Sequence, residues 1–169
     1  GHSLGRKRVV PNYHLEWADV IYAPGQLEAR GYTGGEMITG ALVETSGPAS
    51  AIRLLPDRDN IQPIRDDVCV IDVEILDEQG RVVPIADPQV YFTIDGPGKI
   101  IGVGNGNPSS HEPEQGKPRS AARRAFNGRC QAIIQPDGQP GDRITFSAHS
   151  AGLLGAVVEI HLLESIESG

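Results

Sequence analysis

Apolar and polar residues alternate in short runs along most of the chain, and turn-forming residues separate the runs. The clearest run is 68–76. Its apolar positions are Cys69, Ile71, Val73 and Ile75. Because side chains of a strand alternate between its two faces, these four are expected on a buried face, with Asp72 and Glu74 directed outward. The pattern is typical of a strand that packs against a core on one side.

Ten further runs have strand character, because they alternate in polarity or are rich in β-branched and aromatic residues. They lie at 15–22, 26–32, 36–45, 50–55, 89–94, 99–103, 121–127, 129–135, 143–149 and 155–163. Gly34-Gly35 and Asn127-Gly128 are hairpin-turn signals between neighbouring runs. No stretch repeats its apolar residues with the 3.6-residue period of a long helix, so the pattern predicts an all-β protein.

The segment Ser46-Gly47-Pro48 is the best candidate for a domain boundary, since turn-forming residues interrupt the strand pattern there. Residues 1–48 contain three of the predicted strands, which are too few for a stable domain. They are expected to be the C-terminal strands of a truncated immunoglobulin-like domain. Residues 49–165 contain the other eight strands, at the spacing of a complete immunoglobulin-like β-sandwich.

The composition supports a folded chain and excludes two classes of function. Hydrophobic residues make up 38% of the 169 residues, which suffices for a core. The net charge of −7 argues against a nucleic-acid-binding protein, which needs a basic surface. No apolar run approaches the roughly 18–20 residues that span a bilayer. Residues 1–3 are interpreted as the remnant of a cleaved tag. The next residues, Leu4-Gly5-Arg6-Lys7, read as if the chain begins within a domain, so the chain is expected to be a piece of a larger protein.

Cys69 and Cys130 have two interpretations. Their separation of 61 residues on two strong strands resembles the pair that joins the two sheets of many immunoglobulin domains, so a disulfide is one alternative. The favoured alternative is that both are free thiols that pack as small buried hydrophobes. Neither has a second cysteine or a histidine within two to four residues, so the spacing predicts no metal site. No cofactor is expected.

The most unusual stretch is the loop 102–113, which is rich in glycine, asparagine and proline. Its Gly-x-Gly-x-Gly spacing resembles a phosphate-binding loop only superficially, because no helix pattern follows it. Four of its side chains could bind a calcium ion or a sugar hydroxyl: Asn105, Asn107, His111 and Glu112. The favoured alternative is that they shape turns, since asparagine tolerates positive φ and bonds to nearby backbone.

No set of residues forms a recognisable catalytic group. The histidines are scattered, no Gly-x-Ser-x-Gly motif is present, and the acidic residues fall on predicted turns and outward strand faces. Trp17 could stack against a sugar ring, although packing is the favoured role for each aromatic residue. Lys117, Arg119, Arg123 and Arg124 are interpreted as a solvated basic edge.

Several longer motifs are spread over the chain. They include Tyr22-Ala-Pro-Gly25-Gln-Leu27, Thr45-Ser-Gly-Pro-Ala49, Phe92-x-Ile-x-Gly96-Pro-Gly98, Ile101-Gly-Val-Gly-Asn-Gly-Asn-Pro-Ser-Ser-His-Glu-Pro113 and Ala125-Phe-Asn-Gly128. Together they resemble the C-terminal region of glycoside hydrolase family 2 β-galactosidases of the Bacteroides type. The resemblance covers nearly the whole chain, and the 101–113 motif is its most specific part.

The resemblance implies a non-catalytic accessory role. In this family the catalytic acid/base and nucleophile are glutamates on the strands of a (β/α)₈ barrel, and no segment here matches those motifs, so no enzyme activity is expected of this fragment. The implied partners are other domains of the parent glycoside hydrolase, or further copies in a homo-oligomer. The loop 104–113 is expected to face a partner domain. The implied location is periplasmic or secreted.

Two alternatives from other functional classes stay open. One is a carbohydrate-binding module that presents a galactoside to the barrel, with Trp17 or the loop residues 105–111 in weak contact with the glycan. The other is an adhesion-type domain of a bacterial surface protein, since similar immunoglobulin-like units occur there. A catalytic fragment is the least favoured, because the paired carboxylates of glycoside hydrolysis are not evident.

Overall fold

A computed structural model describes residues 1–164. Within this range the regular elements are β-strands, which confirms the predicted all-β class. The chain separates into two compact units between Thr45 and Ser46. The sequence analysis places the domain boundary three residues later, after Pro48. Ser165, the last residue of the expected second domain, lies outside the described residues.

The first unit contains one antiparallel hairpin, formed by β1 (Gln26–Thr33) and β2 (Glu36–Glu44). Gly34 and Gly35 join the two strands with φ angles of +61° and +93°, as a tight hairpin turn requires. The predicted strand at 15–22 is wrong. Its residues pair with no neighbouring strand, Ala18 and Asp19 form a turn, and Ile21 is 90% exposed. Favourable β-propensity does not form a strand without a partner.

The second unit is an immunoglobulin-like β-sandwich, as the strand pattern predicts. Its strands are β3 (Ala51–Pro56), β4 (Asn60–Ile61), β5 (Cys69–Leu76), β6 (Gln89–Asp95), β7 (Gly98–Gly104), β8 (Ser120–Arg124), β9 (Arg129–Pro136), β10 (Arg143–His149) and β11 (Ala156–Leu162). A five-stranded sheet has the order β4-β11-β10-β6-β8, and a four-stranded sheet has the order β3-β5-β9-β7. Only β4 was not predicted. It is two residues long and pairs in parallel with β11.

The core lies between the inner faces of the two sheets. The odd positions of β5 (Cys69, Ile71, Val73 and Ile75) are fully buried, as their alternation predicts. On the facing sheet, Phe92 and Phe146 stack with ring centroids 5.5 Å apart. Glu74 departs from the expected solvent exposure. It lies on the outer face but is buried, because two arginine side chains cover it.

A buried carboxylate holds the start of the second unit. Asp77 follows β5 and accepts hydrogen bonds from the Gly47 amide at 2.7 Å and the Gln79 amide at 3.0 Å. The amide and the Nε of Arg81 donate to the same carboxylate at 2.9 and 2.8 Å. Burial by itself would raise the pKa of Asp77, but these hydrogen bonds outweigh it and lower the pKa to about 2. The folded state therefore favours the charged form of Asp77.

Asp77 is expected to make stability depend on pH in the acid range. Its pKa is 3.8 in an ordinary environment and about 2 in the folded chain. Its contribution is therefore complete above the higher value and is lost as the pH falls toward the lower one. Relative to the wild type, Asp77→Asn should be clearly destabilised at pH 7 and much less so at pH 2, as measured by urea unfolding.

A matched control is available in the same turn. Glu78 is exposed, so Glu78→Gln is expected to change the free energy of unfolding by less than about 0.5 kcal/mol at pH 7. A difference between Asp77→Asn and the wild type that stays constant from pH 7 to pH 2 would contradict the role assigned to this carboxylate.

Candidate functional site

The loop between β7 and β8 is built around a buried arginine. In the pairing of β6 with β8, Arg123 lies opposite Val90, and Val90 is part of the core. The Arg123 side chain therefore points inward, and only 4% of it is exposed. The interpretation of Arg123 as part of a solvated basic edge is wrong. An inward charge on the last strand of a sheet is one of the devices that prevent edge-to-edge association.

The loop supplies hydrogen-bond acceptors to this guanidinium. Nη1 donates to the carbonyl oxygen of Glu112 at 3.2 Å, and Nη2 donates to Asn105 Oδ1 at 3.0 Å and to Ser110 Oγ at 3.2 Å. The Nε of Arg123 has no hydrogen-bond partner among the described residues, although Glu112 Oε2 is 3.7 Å away. Because a buried cation is costly without acceptors, these contacts fix the path of the loop.

The two asparagines in the loop act on nearby backbone. Asn105 Oδ1 also accepts from the Asn107 amide at 3.0 Å, and Asn105 Nδ2 donates to the Arg124 carbonyl at 2.9 Å. Asn107 Oδ1 accepts from the Ser109 amide at 3.0 Å. The contacts from the Asn107 and Ser109 amides are Asx turns, the arrangement that the sequence analysis favours for this loop. The side-chain oxygens of both residues are thus engaged inside the loop.

The other two loop candidates differ from each other. Glu112 Oε2 accepts from the Arg124 amide at 3.2 Å. Its Oε1 accepts from the Gln89 side chain at 3.1 Å, in the amide orientation that satisfies both partners. His111 is exposed and makes no side-chain hydrogen bond within the described part of the chain. The structure therefore brings Asn105 and Glu112 together around Arg123 and leaves His111 outside.

A second polar cluster lies on the outer face of the four-stranded sheet. Glu74 Oε2 accepts from Arg53 Nε at 3.0 Å, and Glu74 Oε1 lies 3.0 Å from Arg129 Nη2. Beside this cluster, Asp72 Oδ1 accepts from Gln131 Nε2 at 2.6 Å. The register places Glu74 opposite Arg129 and Asp72 opposite Gln131. Cross-strand pairing therefore brings two carboxylates, two guanidiniums and one amide onto one face.

A groove of about 340 Å³ opens beside this cluster. Its lining consists of Asp72, Val73, Glu74, Gly104, Asn105, Gly106, Arg129, Cys130 and Gln131. Val103 is buried, so its neighbours Gly102 and Gly104 face outward on β7. Neither glycine carries a side chain that could cover the sheet surface next to Gln131. The loop 104–106 forms one wall of the groove.

The two cysteines do not join the sheets. Cys69 and Cys130 lie on β5 and β9, which are neighbours in one sheet, and the structure has both as free thiols. Cys130 is paired with Val73, four residues along β5 from Cys69, so the Cα atoms are separated by roughly 13 Å along the strand. A disulfide needs a Cα separation below about 7 Å. Burial raises the pKa of each thiol to about 12, so both stay protonated.

Trp17 lies in the first unit and is partly exposed. The ammonium of Lys7 lies 5.3 Å from its ring centroid, within the range of a cation–π contact. Residues 1–164 contain no group of three or more His, Cys, Asp or Glu side chains arranged to hold a metal ion. Over the same range, the structure contains no helix with the length and apolarity needed to cross a membrane.

Comparison with known families decides the identity of the region that holds the loop and the groove. The family described as glycoside hydrolase family 2 C-terminal domain 5 matches residues 52–159. The chain belongs to this family. A second match, to a domain of unknown function (DUF4982), covers residues 1–39. The resemblance found in the 101–113 motif and the other motifs is thereby confirmed.

Relatives of this glycoside hydrolase family 2 chain are much longer than it is. The β-galactosidase BoGH2A of Bacteroides ovatus is 39% identical over 161 residues, which are 95% of this chain and 18% of that protein. A β-glucuronidase of Formosa agariphila is 35% identical over 101 residues, which are 58% of this chain and 10% of that protein. The chain therefore spans less than a fifth of the length of these relatives.

Solved structures agree with the sequence relatives. A glycosyl hydrolase family 2 member from Bacteroides cellulosilyticus superposes with a TM-score of 0.79 at 31% identity, over 86% of this chain and 18% of that one. A β-glycosidase from Bacteroides vulgatus superposes with a TM-score of 0.74 at 28% identity, over 85% of this chain and 18% of that one. The sandwich is thus an architecture found within larger family 2 glycosidases.

Replacing Arg123 is expected to loosen the loop before it affects the strands. Arg123→Met leaves Asn105, Ser110 and Glu112 without their cation and should lower the free energy of unfolding by about 2–4 kcal/mol. Amide hydrogen exchange in residues 105–113 should accelerate more than exchange in β5 or β9. Arg124→Met is the matched control, because the Arg124 side chain is 53% exposed and should cost less than about 1 kcal/mol. Equal exchange in the loop of both variants would contradict this role.

Proposed function

We propose that the chain is a non-catalytic accessory region of a β-galactosidase-type family 2 glycoside hydrolase. In this proposal it packs against other domains of the parent enzyme. One observation carries the proposal. The polar side chains of the most distinctive motif hold the loop around Arg123, so the motif produces a surface of fixed shape. A surface of fixed shape suits docking to another domain, because little conformational entropy is lost when it binds.

The pairing of three carboxylates with arginine side chains supports the same proposal. Glycoside hydrolysis needs one carboxylic acid and one carboxylate about 5–9.5 Å apart on either side of the scissile bond. Glu74, Asp77 and Glu112 each contact an arginine and accept hydrogen bonds inside the fold. For Asp77 the hydrogen bonds lower the pKa to about 2, so this carboxyl group stays ionised at neutral pH and does not suit a general acid.

The hairpin of the first unit supports a position within a larger sheet. Leu27 and Val43 lie opposite each other on one face, and Leu42 lies on the other face. All three side chains are more than half exposed. A two-stranded hairpin is marginally stable at best without further strands. We propose that residues 1–48 are the C-terminal strands of an immunoglobulin-like accessory domain, whose other strands belong to the longer protein.

The proposal also includes a cellular location and a second candidate function. A periplasmic or secreted location is proposed from the resemblance to Bacteroides enzymes alone. Carbohydrate binding is a second candidate function, favoured by the polar side chains that line part of the groove next to residues 104–106. An accessory region that also holds a saccharide would keep substrate near the catalytic domain by raising its local concentration.

Activity measurements test the accessory role. The chain by itself is expected not to hydrolyse a chromogenic β-galactoside. In the longer enzyme, deletion of the second unit should leave the rate constant of hydrolysis within a few-fold of the intact value and should shorten the half-life at elevated temperature, because packing partners are lost. Saturable hydrolysis that scales with the concentration of the chain, and that persists after repurification, would overturn the proposal.

Hydrogen exchange tests the position of the hairpin. In the chain alone, amides of residues 26–44 should exchange much faster than those of β5 and β10, because the hairpin has no covering layer. In the longer protein the same amides should become protected. Protection in the chain alone that grows with protein concentration would indicate pairing between copies instead. Protection equal to that of β5 at the lowest concentration would contradict the proposed dependence on other strands.

A further inference from the structure

The groove on the four-stranded sheet has the size of a small-molecule site. Its volume of about 340 Å³ is near the lower end of the range of about 300–1,000 Å³ for ligand pockets, and it suits one sugar ring. The groove exists because of the residue types at the sheet edge. Gln131 lies between Asp72 on β5 and Gly104 on β7, so one side of its amide meets bare backbone. A methyl group placed on Gly104 would meet no atom within 4 Å.

The wall of the groove is held in place before any ligand arrives. Asn105 belongs to this wall, and its amide group is bonded on both sides, to Arg123 Nη2 at 3.0 Å and to the Arg124 carbonyl at 2.9 Å. The floor is part of a β-sheet whose inner face is the core. A site on regular strands with a fixed wall loses little conformational entropy on binding.

The polar atoms that face the groove include both donors and acceptors. Gln131 donates its amide to Asp72 Oδ1, which leaves Asp72 Oδ2 and Gln131 Oε1 as acceptors without a partner among the described residues. Arg129 uses Nη2 toward Glu74 and keeps further N–H donors, on a side chain that is 65% exposed. Hydroxyl groups donate and accept at once, so they can satisfy all three residues.

The charges at the groove select among hydroxyl-bearing ligands. The negative charges of Asp72 and Glu74 are balanced by the positive charges of Arg53 and Arg129. The four charges sum to zero, so the groove has no net positive charge to attract a ligand carboxylate, and such a group would approach Asp72. Repulsion between like charges and desolvation both disfavour that approach. The balance favours a neutral ligand over a uronic acid.

We propose that this groove binds one neutral sugar unit, such as a β-galactosyl residue, through Asp72, Arg129 and Gln131, and that it discriminates against uronic acids. The inference rests on the accessory role proposed above. The lining of the groove contains no aromatic side chain, so a sugar ring has no surface to stack against and binding is weak. A dissociation constant in the millimolar range fits a site of this kind.

The test is a titration of the intact chain followed by backbone amide NMR shifts. Methyl β-galactoside should shift the amides of 104–106, Arg129 and Gln131 in a saturable manner in the millimolar range. Glucuronic acid should bind at least about fivefold more weakly at neutral pH. This titration measures binding and not hydrolysis. Absence of binding would therefore overturn this inference, whereas the accessory role is tested by the activity measurements described above.

Two variants and one control locate the binding. Asp72→Asn should weaken galactoside binding at least about fivefold and reduce the discrimination against glucuronic acid. Gly104→Leu should abolish the shifts, since Gly104 faces open space and its backbone does not adopt positive φ. Asp95→Asn, on the other sheet, should leave the titration unchanged. Equal binding of galactoside and glucuronic acid, or saturable shifts that survive both groove variants, would overturn the proposal.

Discussion

A guanidinium that points into a β-sandwich must be surrounded by acceptors, and much of the site depends on this requirement. Arg123 is placed inward by its register with Val90, so the chain after β7 has to return over it with carbonyl, amide and hydroxyl oxygens. The net contribution of such a buried charge to the stability of the fold is small, because desolvation offsets much of the attraction. Removing its partners is nevertheless strongly destabilising, because the charge is then left uncompensated. The loop therefore has one permitted path. That path sets the position of Asn105, and Asn105 in turn forms the wall of the groove.

Acidic residues elsewhere in the second unit follow the same principle. Glu74 is covered by Arg53 and Arg129, and Asp77 collects the N–H groups of the turn that follows β5 together with that of Gly47. Within residues 1–164, the two buried carboxylates, Glu74 and Asp77, are thus both paired with arginine side chains.

Alternation of polarity predicts most of this fold, because the period of two reports directly on which face is buried. The strands of the sandwich core are found this way, and so is the burial of the odd positions of β5. The errors occur where pairing with a neighbouring strand, and not the local sequence, determines whether a segment forms a strand. The 15–22 segment has strand residues but no neighbour, and β4 becomes a strand only because β11 lies beside it. The assignment of Arg123 to a solvated edge was wrong because it rested on the charge of the side chain and not on its position in the strand. Ala121 and Ala125 lie two residues before and after Arg123, so their apolar side chains already indicate that this face of the strand points inward. The groove could not be predicted, since it depends on Gly104 lying next to Gln131 across two strands that are distant in sequence.

The placement of the two thiols has a consequence for how the chain matures. Cys69 and Cys130 lie in the same sheet, out of reach of each other and shielded by the core. The sandwich is closed by packing of its two sheets, with no covalent cross-link between Cys69 and Cys130. Its assembly thus needs no oxidant and no disulfide isomerase, and the native state is equally accessible in reducing and oxidising compartments. Recombinant production in a reducing cytosol is therefore expected to give the same sandwich as production in an oxidising environment.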